Sequence, residues 1–269
     1  MTWFIQQWAF WLLFSFGMLA FLGLFAADLR RVGISNGLIA QLLVMLTLAI
    51  LIGERASWVG RFRSDYAERG LSEILSFWRG GMDSSGGILA ALLTVVVFCS
   101  YHGIRLATLC DAGTAGAGWV IGISRMGCFI EGDDWGIPTD SFLGVQFARH
   151  QVAFKEQVAL GLIPPDAAHS LRVHPTQLYL SVLGFLLAFV FTFVLRDRPF
   201  RQGIRTGIFL LAYGLGRFLL EFLRGDVSRG MLYMLSIPQW TMLGLCVLGI
   251  GFLVRALNDP IGYSKTTMP

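Results

Sequence analysis

The hydrophobic positions of this chain fall into long blocks rather than into alternating or helical stripes. The stretches 1–27, 32–53, 84–104, 173–195 and 230–254 contain no Asp, Glu, Lys or Arg. Each is long enough to span the ~30 Å hydrocarbon core of a bilayer as a helix rising 1.5 Å per residue. Two further apolar blocks are interrupted. Residues 112–130 carry Arg125 near their end, and residues 206–223 carry Arg217 and Glu221. The pattern predicts an all-α polytopic membrane protein with about seven transmembrane helices. The polar stretch 131–172 is too long for a connector and is expected to form an outward-facing arm. It contains Pro138, Pro164 and Pro165, with helical candidates at 150–160 and 165–171. All 269 residues are expected to form a single transmembrane domain with the insert inside it. The first apolar run lacks a basic leader and a small-residue cleavage site, so it reads as a retained helix.

Composition agrees with this reading. Apolar residues make up 55% of the chain and the mean hydropathy is +0.65. The net charge of +4 suits an anionic membrane surface. No basic run interleaved with aromatics suggests nucleic acid. Arg30 and Arg31, the arginines between 196 and 205, and Arg255 with Lys265 predict a cytoplasmic C-terminus and an outward N-terminus. The loop 54–79 would then lie outside. Its Arg55, Arg61, Arg63, Arg69 and Arg79 are offset by Glu54, Asp65, Glu68 and Glu73. Cys99, Cys110, Cys128 and Cys246 stand singly in apolar segments, which indicates neither a disulfide framework nor a metal site. No cofactor is implied. Glycines through 113–122 read as close helix packing, whereas Asp83-Ser84-Ser85-Gly86-Gly87 could open a helix with free NH groups for an anion.

The candidate chemistry lies where charge meets apolar sequence. Arg217, Glu221 and Arg224 fall at i, i+4 and i+7, so a continued helix would project all three from one face. A charge within a bilayer costs a few kcal/mol or more, which makes such a face a functional candidate; the plain alternative is an ion pair that pins two helices. Ser124-Arg125-Met126-Gly127-Cys128-Phe129-Ile130-Glu131-Gly132-Asp133-Asp134-Trp135-Gly136 ends an apolar run with an arginine and three acids, with a solvated interfacial loop as the alternative. His174-Pro175-Thr176-Gln177-Leu178-Tyr179 would crown a helix with His174, Gln177 and Tyr179. Gly53-Glu54-Arg55 ends the second span. On this topology all four groups share the outer half of the membrane, where Arg55, Arg125, Arg217 and Arg224 would converge. Guanidinium forks bind phosphate oxygens bidentately, so the expected ligand is an anionic phospholipid head group.

These motifs resemble the bacterial prolipoprotein diacylglyceryl transferase family over nearly the whole chain. Gly53-Glu54-Arg55 is similar to the family's Gly-x-Arg, and Arg125-x-Gly-x-Phe through Gly136 to its signature segment. His174-Pro175-Thr176-Gln177-Leu178-Tyr179 matches a family motif, as does Tyr213-Gly214 followed by Arg217, Glu221, Arg224 and Asp226. Ser236 and Gln239 resemble its closing Ser-x-x-Gln. The resemblance implies transfer of the diacylglyceryl group of phosphatidylglycerol to the thiol of a lipobox cysteine in a preprolipoprotein, with release of glycerol 1-phosphate, in a bacterial inner membrane. It implies Arg125, Arg217, Glu221 and His174 as catalytic residues. Substrate would be bound by Arg55, Ser85, Gly86, Gly127, Cys128, Glu131, Asp133, Gly136, Gln177, Tyr179, Arg224 and Gln239.

The chain departs from the family pattern where the acceptor thiol would be activated. The family's His-Gly-Gly-Leu is Ser85-Gly86-Gly87-Ile88 here, its Tyr-Gly near the first span is Trp8-Ala9, its signature Asn is Cys128 and its Glu is Asp133. The Glu that follows the His-Pro motif is Leu180. His174, Glu131 and Asp133 remain as bases on the outer side. Two other readings stay open: the same lipid donor with a different acceptor, and a phospholipid-binding or transport protein without chemistry.

Overall fold

The computed structural model describes residues 2–63, 66, 74, 76, 83–226 and 229–259. Asp65, Glu68, Arg69, Glu73, Arg79 and Lys265, whose charges bear on the expected topology, lie outside the described residues. The protein is an all-α polytopic membrane protein with seven helices long and apolar enough to cross a membrane among the described residues. Tertiary contacts divide the chain into two compact units, one made of residues up to 28 and from 110 onward, the other of Leu29–Leu109.

The smaller unit is built on a helix pair, α2 (Asn36–Arg61) and α3 (Ser84–His102). Ser35 caps α2 by accepting from the Leu38 amide, and Gly103, with φ 64°, ends α3 in the left-handed conformation that glycine adopts without steric cost. The two helices meet so closely at Gly53 and Gly86 that a Cβ on Gly86 would stand 2.1 Å from the Gly53 carbonyl oxygen.

The larger unit carries α1 (Thr2–Arg31), α4 (Leu106–Glu131), the arm with its helix α5 (Val152–Ala159), α6 (Thr176–Phe189), α7 (Ile204–Leu220), a hairpin of β1 (Met231–Leu232) and β2 (Leu235–Ser236), and α8 (Ile237–Asn258). A π-helical turn, Val190–Val194, continues α6, and a 3-10 turn, Glu221–Leu223, tightens the end of α7. Ala115, Leu187, Phe191 and Phe209 form a buried core between α4, α6 and α7. Close packing by small residues is visible in the 113–122 stretch. A Cβ on Gly184 would stand 2.4 Å from the Gly122 amide nitrogen, and the Ser181 hydroxyl donates to the Gly122 carbonyl at 2.6 Å. One end of this unit is closed by polar side chains. Asp28 accepts from Arg196 at 2.6 Å and from Arg205 at 3.1 Å, and Asp111 accepts from the Gly203 and Thr206 amides, capping α7.

The arm has its own small core of Trp135, Phe147, Ala153 and Val173. Of its two expected helices, the one at 150–160 forms as α5, whereas 165–171 does not. Pro164 and Pro165 disfavour helical continuation, and the following residues run extended instead. The Ser170 amide donates to Phe147 O, Val173 exchanges backbone bonds with Val145, and His169 bridges Ala148.

Candidate active site

The site candidates of the larger unit gather where the C-terminal ends of α4 and α7, the arm, the N-terminus of α6 and the N-terminus of α8 come together. Gly136 is the seam. Its amide donates to His174 O, the Ile137 amide donates to Leu223 O, and the Gly225 amide donates to Trp135 O. A Cβ on Gly136 would lie 2.4 Å from His174 O and 2.9 Å from Leu223 O, so only glycine permits this approach. Below the seam, Trp135 is buried and donates from Nε1 to Glu156 Oε2 at 2.7 Å. This anchors the acidic pair Asp133-Asp134 that precedes it.

Arg217, Glu221 and Arg224 do not share one helix face as their spacing predicts. The helix ends at Leu220, Glu221 opens the 3-10 turn, and Arg224 is already extended with φ −77° and ψ 137°. The chain leaves the helix because the end of the turn is drawn into bridges with the arm, where Arg224 pairs with Gly136. The three side chains still meet, through carboxylates rather than through a common face.

Four guanidinium groups and three carboxylates interlock here. Glu221 is the buried hub. It pairs with Arg217, accepts from Arg229 at 3.3 Å, and accepts from the Ser236 hydroxyl at 3.0 Å. Arg224 holds Asp226 bidentately, at 2.8 Å from Nε and 2.6 Å from Nη2, and also reaches Asp134 Oδ1 at 2.6 Å. Arg125 pairs with the other oxygen of Asp134. Arg229 donates to the carbonyls of Asp226 and Arg224 at 2.8 and 3.0 Å, tying the chain after α7 back onto itself. Burial opposes the Arg224 charge, but its bond to Asp226 and the nearby charges of Asp134, Asp226 and Glu221 hold the guanidinium more firmly protonated than an ordinary arginine.

Exposure grades this cluster. The Arg217 and Arg224 side chains are each 6% exposed and Glu221 1%, whereas Arg125 and Asp134 are 25% and 26% exposed. The most accessible part, followed by Arg229 at 20%, is therefore the Arg125–Asp134 pair. Beside it, Gln177 is fully buried and donates from Nε2 to the Asp133 carbonyl, and the Thr176 hydroxyl donates to the Asp134 carbonyl at 2.5 Å. Three buried polar atoms at this junction have no hydrogen-bond partner among the described residues: Asp133 Oδ1, Gln177 Oε1 and Gln239 Nε2. Such orphaned atoms cost roughly 1–3 kcal/mol each, and at a working site they mark where a ligand's polar atoms are received. Burial, and then the charges of Asp134 and Glu131, push Asp133 up to about 7. A carboxyl group titrating near neutrality with a free oxygen is suited to accept a proton.

The other candidates fall as follows. Arg125 Nη1 also approaches Cys128 Sγ at 3.9 Å. Glu131 ends α4 and bears on Asp133 through its charge. The His174 ring pairs with the Tyr179 hydroxyl at 3.1 Å, while its backbone is held at the Gly136 seam. Gly127 packs on Phe10, where a Cβ would stand 2.8 Å from the ring. The Ser236 and Gln239 motif is a reciprocal capping box at the start of α8, with Gln239 Oε1 accepting from the Ser236 amide at 2.9 Å. Arg229 was not among the sequence candidates, and Asp134 stood there only as one of the three acids after Arg125. They join the cluster across loops, and no periodicity signals such a contact.

The remaining candidates belong to the smaller unit. Arg55 is buried, donates from Nε to Ile74 O at 2.8 Å and lies over the Tyr66 ring at 5.3 Å. The expected free helix start at 83–87 is already filled. Asp83 caps α3, accepting from the Ser85 hydroxyl at 2.6 Å and the Ser85 amide at 3.0 Å, with Arg61 at 2.7 Å and the Ser57 hydroxyl at 3.2 Å on its other oxygen. The hydrogen bonds from Ser85, with help from Arg61 and Ser57, hold Asp83 below the usual carboxylate range. Ser85 therefore belongs to a cap, and the carboxylate beside it is a poor base. Ser85 and Gly86 also line a cavity of about 490 Å³ whose other walls include Leu89 and Leu93. Among the described residues no group of three or more His, Cys, Asp or Glu side chains could hold a metal ion.

A family model described as prolipoprotein diacylglyceryl transferase matches residues 4–255. A Nitrobacter winogradskyi protein named phosphatidylglycerol–prolipoprotein diacylglyceryl transferase is 30% identical over 217 residues, covering 76% of this chain and 68% of that one. A Beijerinckia indica protein of the same name is 30% identical over 233 residues, covering 82% and 76%. A Ruegeria pomeroyi protein, again of that name, is 30% identical over 240 residues, covering 82% and 78%.

Proposed function

The chain belongs to the prolipoprotein diacylglyceryl transferase family, and from that premise we propose that it is a transferase moving the diacylglyceryl group of phosphatidylglycerol to the cysteine thiol of a lipobox-bearing prolipoprotein. The observation that carries this reading is the accessible Arg125 edge of the guanidinium cluster lying beside an orphaned, buried oxygen of Asp133. One side of the junction offers positive charge to a phosphate, and the other offers a base to a thiol.

In the proposed step, Asp133 Oδ1 accepts the thiol proton. The sulfur attacks the glyceryl carbon that bears the phosphate ester, and a C–S bond forms. The C–O bond breaks, and its electron pair leaves with glycerol 1-phosphate. Arg125 and Arg224 stabilise the charge on the departing phosphate, which strengthens as the bond opens. Arg217 and Glu221 act from behind: they are buried and paired, and they fix the end of α7 from which Arg224 emerges. Gln177 Oε1 and Gln239 Nε2, which lack partners among the described residues, receive polar atoms of the glycerol head group in this reading. His174 and Tyr179 orient the start of α6, and Arg55, Ser85 and Gly86 are substrate-binding groups of the smaller unit, taken by itself. We further infer that the arm end faces outward from a bacterial inner membrane. Arg30, Arg31, Arg196 and Arg205, at the opposite helix ends, would face the cytoplasm.

The test uses purified protein in lipid nanodiscs containing phosphatidylglycerol, with a lipobox peptide and its Cys→Ser counterpart. The cysteine peptide should gain the mass of a diacylglyceryl group while glycerol 1-phosphate appears in equal amount, and the serine peptide should gain nothing. Lipid consumption with neither peptide modified would point to another acceptor; phosphatidylglycerol binding with no product would point to a lipid-binding protein.

A further inference from the structure

Asp134 stands in a place where a phosphate-binding enzyme has little use for a carboxylate. One oxygen is paired with Arg125 and the other with Arg224, the latter at 2.6 Å. These are the two arginines assigned above to the lipid phosphate. A carboxylate held between two guanidinium groups has the charge sign and the oxygen spacing of one edge of a phosphoryl group. The backbone marks the residue as well. Asp134 has φ 54°, a left-handed conformation that non-glycine residues adopt sparingly, and its carbonyl is pinned by the Thr176 hydroxyl at 2.5 Å. Such strain persists only where surrounding contacts enforce it, and it concentrates at ligand clamps. Asp134 is also the one carboxylate of the interlocked set that can be reached. Its side chain is 26% exposed, against 1% for Glu221 and 3% for Asp226.

We propose that Asp134 is an internal stand-in for the substrate's phosphate: it occupies Arg125 and Arg224 between turnovers, yields them to the incoming phospholipid, and reclaims them to expel glycerol 1-phosphate. The inference rests on the phosphate-seat reading of Arg125 and Arg224. It gives the cluster a property that a bare arginine pocket lacks. Arginines preorganised around a phosphomonoester would hold the product tightly, whereas a tethered competing anion weakens that hold on every cycle. Asp134 thereby sets affinity rather than performing chemistry, and its removal should tighten binding where the loss of a merely structural ion pair would loosen it.

The experiment measures glycerol 1-phosphate affinity by titration calorimetry, and KM for phosphatidylglycerol in phosphatidylcholine nanodiscs, for wild type, Asp134→Asn and Asp134→Ser. Asp226→Asn serves as a comparison in which a buried partner of the same arginine is neutralised. Close charge pairs couple strongly enough that both Asp134 variants should bind glycerol 1-phosphate about tenfold more tightly or better. Their KM should fall, and kcat should fall with it as product release slows. Asp226→Asn should show no such tightening and should melt at a lower temperature. Unchanged or weaker binding in both Asp134 variants, with wild type binding normally, overturns the stand-in and leaves the phosphate seat intact. If wild type and variants alike bind neither ligand, the phosphate seat itself falls, and the inference with it. Should both variants fail to fold, infrared difference spectra of wild type labelled with 13C-carboxyl aspartate decide the matter. Saturating glycerol 1-phosphate should remove an arginine-paired carboxylate band, and an unchanged spectrum overturns the proposal.

Discussion

Two polar clusters lie at different ends of the larger unit, and both bury carboxylates among arginines. At one, Asp28 is 3% exposed and is shared by Arg196 and Arg205, while Asp111 caps α7 with both oxygens engaged. Its carboxylate oxygens are satisfied, and its one orphaned atom is Arg205 Nε. At the other, Arg125, Arg217, Arg224 and Arg229 meet Asp134, Glu221 and Asp226, and beside them an acceptor on Asp133, an acceptor on Gln177 and a donor on Gln239 have no partner among the described residues. Both clusters are ion-paired, so ion pairing does not distinguish a working site from a structural one. The difference lies in what is left unsatisfied and reachable. The Asp28 cluster is a closed fastening, whereas the arm-end cluster keeps one exposed edge and several polar atoms in need of a partner.

Glu221→Gln should have the largest effect. Removing the hub charge leaves Arg217 buried without its partner, a loss of about 3–5 kcal/mol, and thermal melts should show it together with abolished turnover. Asp28→Ala should cost about 3 kcal/mol or more for the same reason, yet KM and kcat per folded molecule should stay at wild-type values well below the melting temperature. A shift in KM for phosphatidylglycerol there would mean that the two clusters are not functionally separate.

Asp133→Asn should act in the opposite direction on stability. A carboxyl raised from 3.8 to about 7 in the folded protein favours folding when protonated and loses that contribution as pH climbs from about 4 through about 7. The Asn variant escapes the loss. It should match wild type near pH 4 and exceed it by roughly 2–4 kcal/mol above pH 8, as read from melting curves across pH. Equal curves at all pH values would remove the case for a strained, functional carboxylate. Ser85→Ala should be the mildest. It deletes one hydroxyl donor to a cap on Asp83 that retains the Ser85 amide and Arg61, so stability should drop by about 1 kcal/mol or less and turnover by no more than about twofold, since the hydroxyl's proposed part is in binding, not proton transfer. A large activity loss would make Ser85 chemically important despite its place in the cap.

The transmembrane architecture was legible because burial in lipid demands unbroken apolar runs, and each such run holds a helix, although the 230–254 run opens with the β1–β2 hairpin before α8 begins at Ile237. Part of the arm was legible as well, since α5 forms within the expected 150–160 stretch, whereas Ser236 and Gln239, noted only for their likeness to a family motif, turn out to form a capping box. The departure of Arg224 from the helix face was not legible, because helical periodicity cannot announce that α7 tightens at Glu221 and releases the chain toward the arm. Nor was the pairing of Asp134 with Arg224, which spans 90 positions and two irregular segments. The segment 165–171 read as a helix by composition, but its backbone groups are taken up by pairing with 145–148. What eluded the sequence in each case was a contact between loops, and the candidate site is assembled almost entirely from such contacts.

In the proposed reaction the arm-end cluster transfers a diacylglyceryl group and Asp133 takes the thiol proton. Single-turnover kinetics of wild type and Asp133→Asn across pH, with phosphatidylglycerol and a lipobox peptide, test it most directly. Expected are equal amounts of thioether-linked peptide and glycerol 1-phosphate, a wild-type rate that rises with pH through about 7, and a variant slower by about 10²–10⁴-fold without that rise. A variant as fast as wild type with the same pH profile, or a wild type that releases no glycerol 1-phosphate, would contradict it.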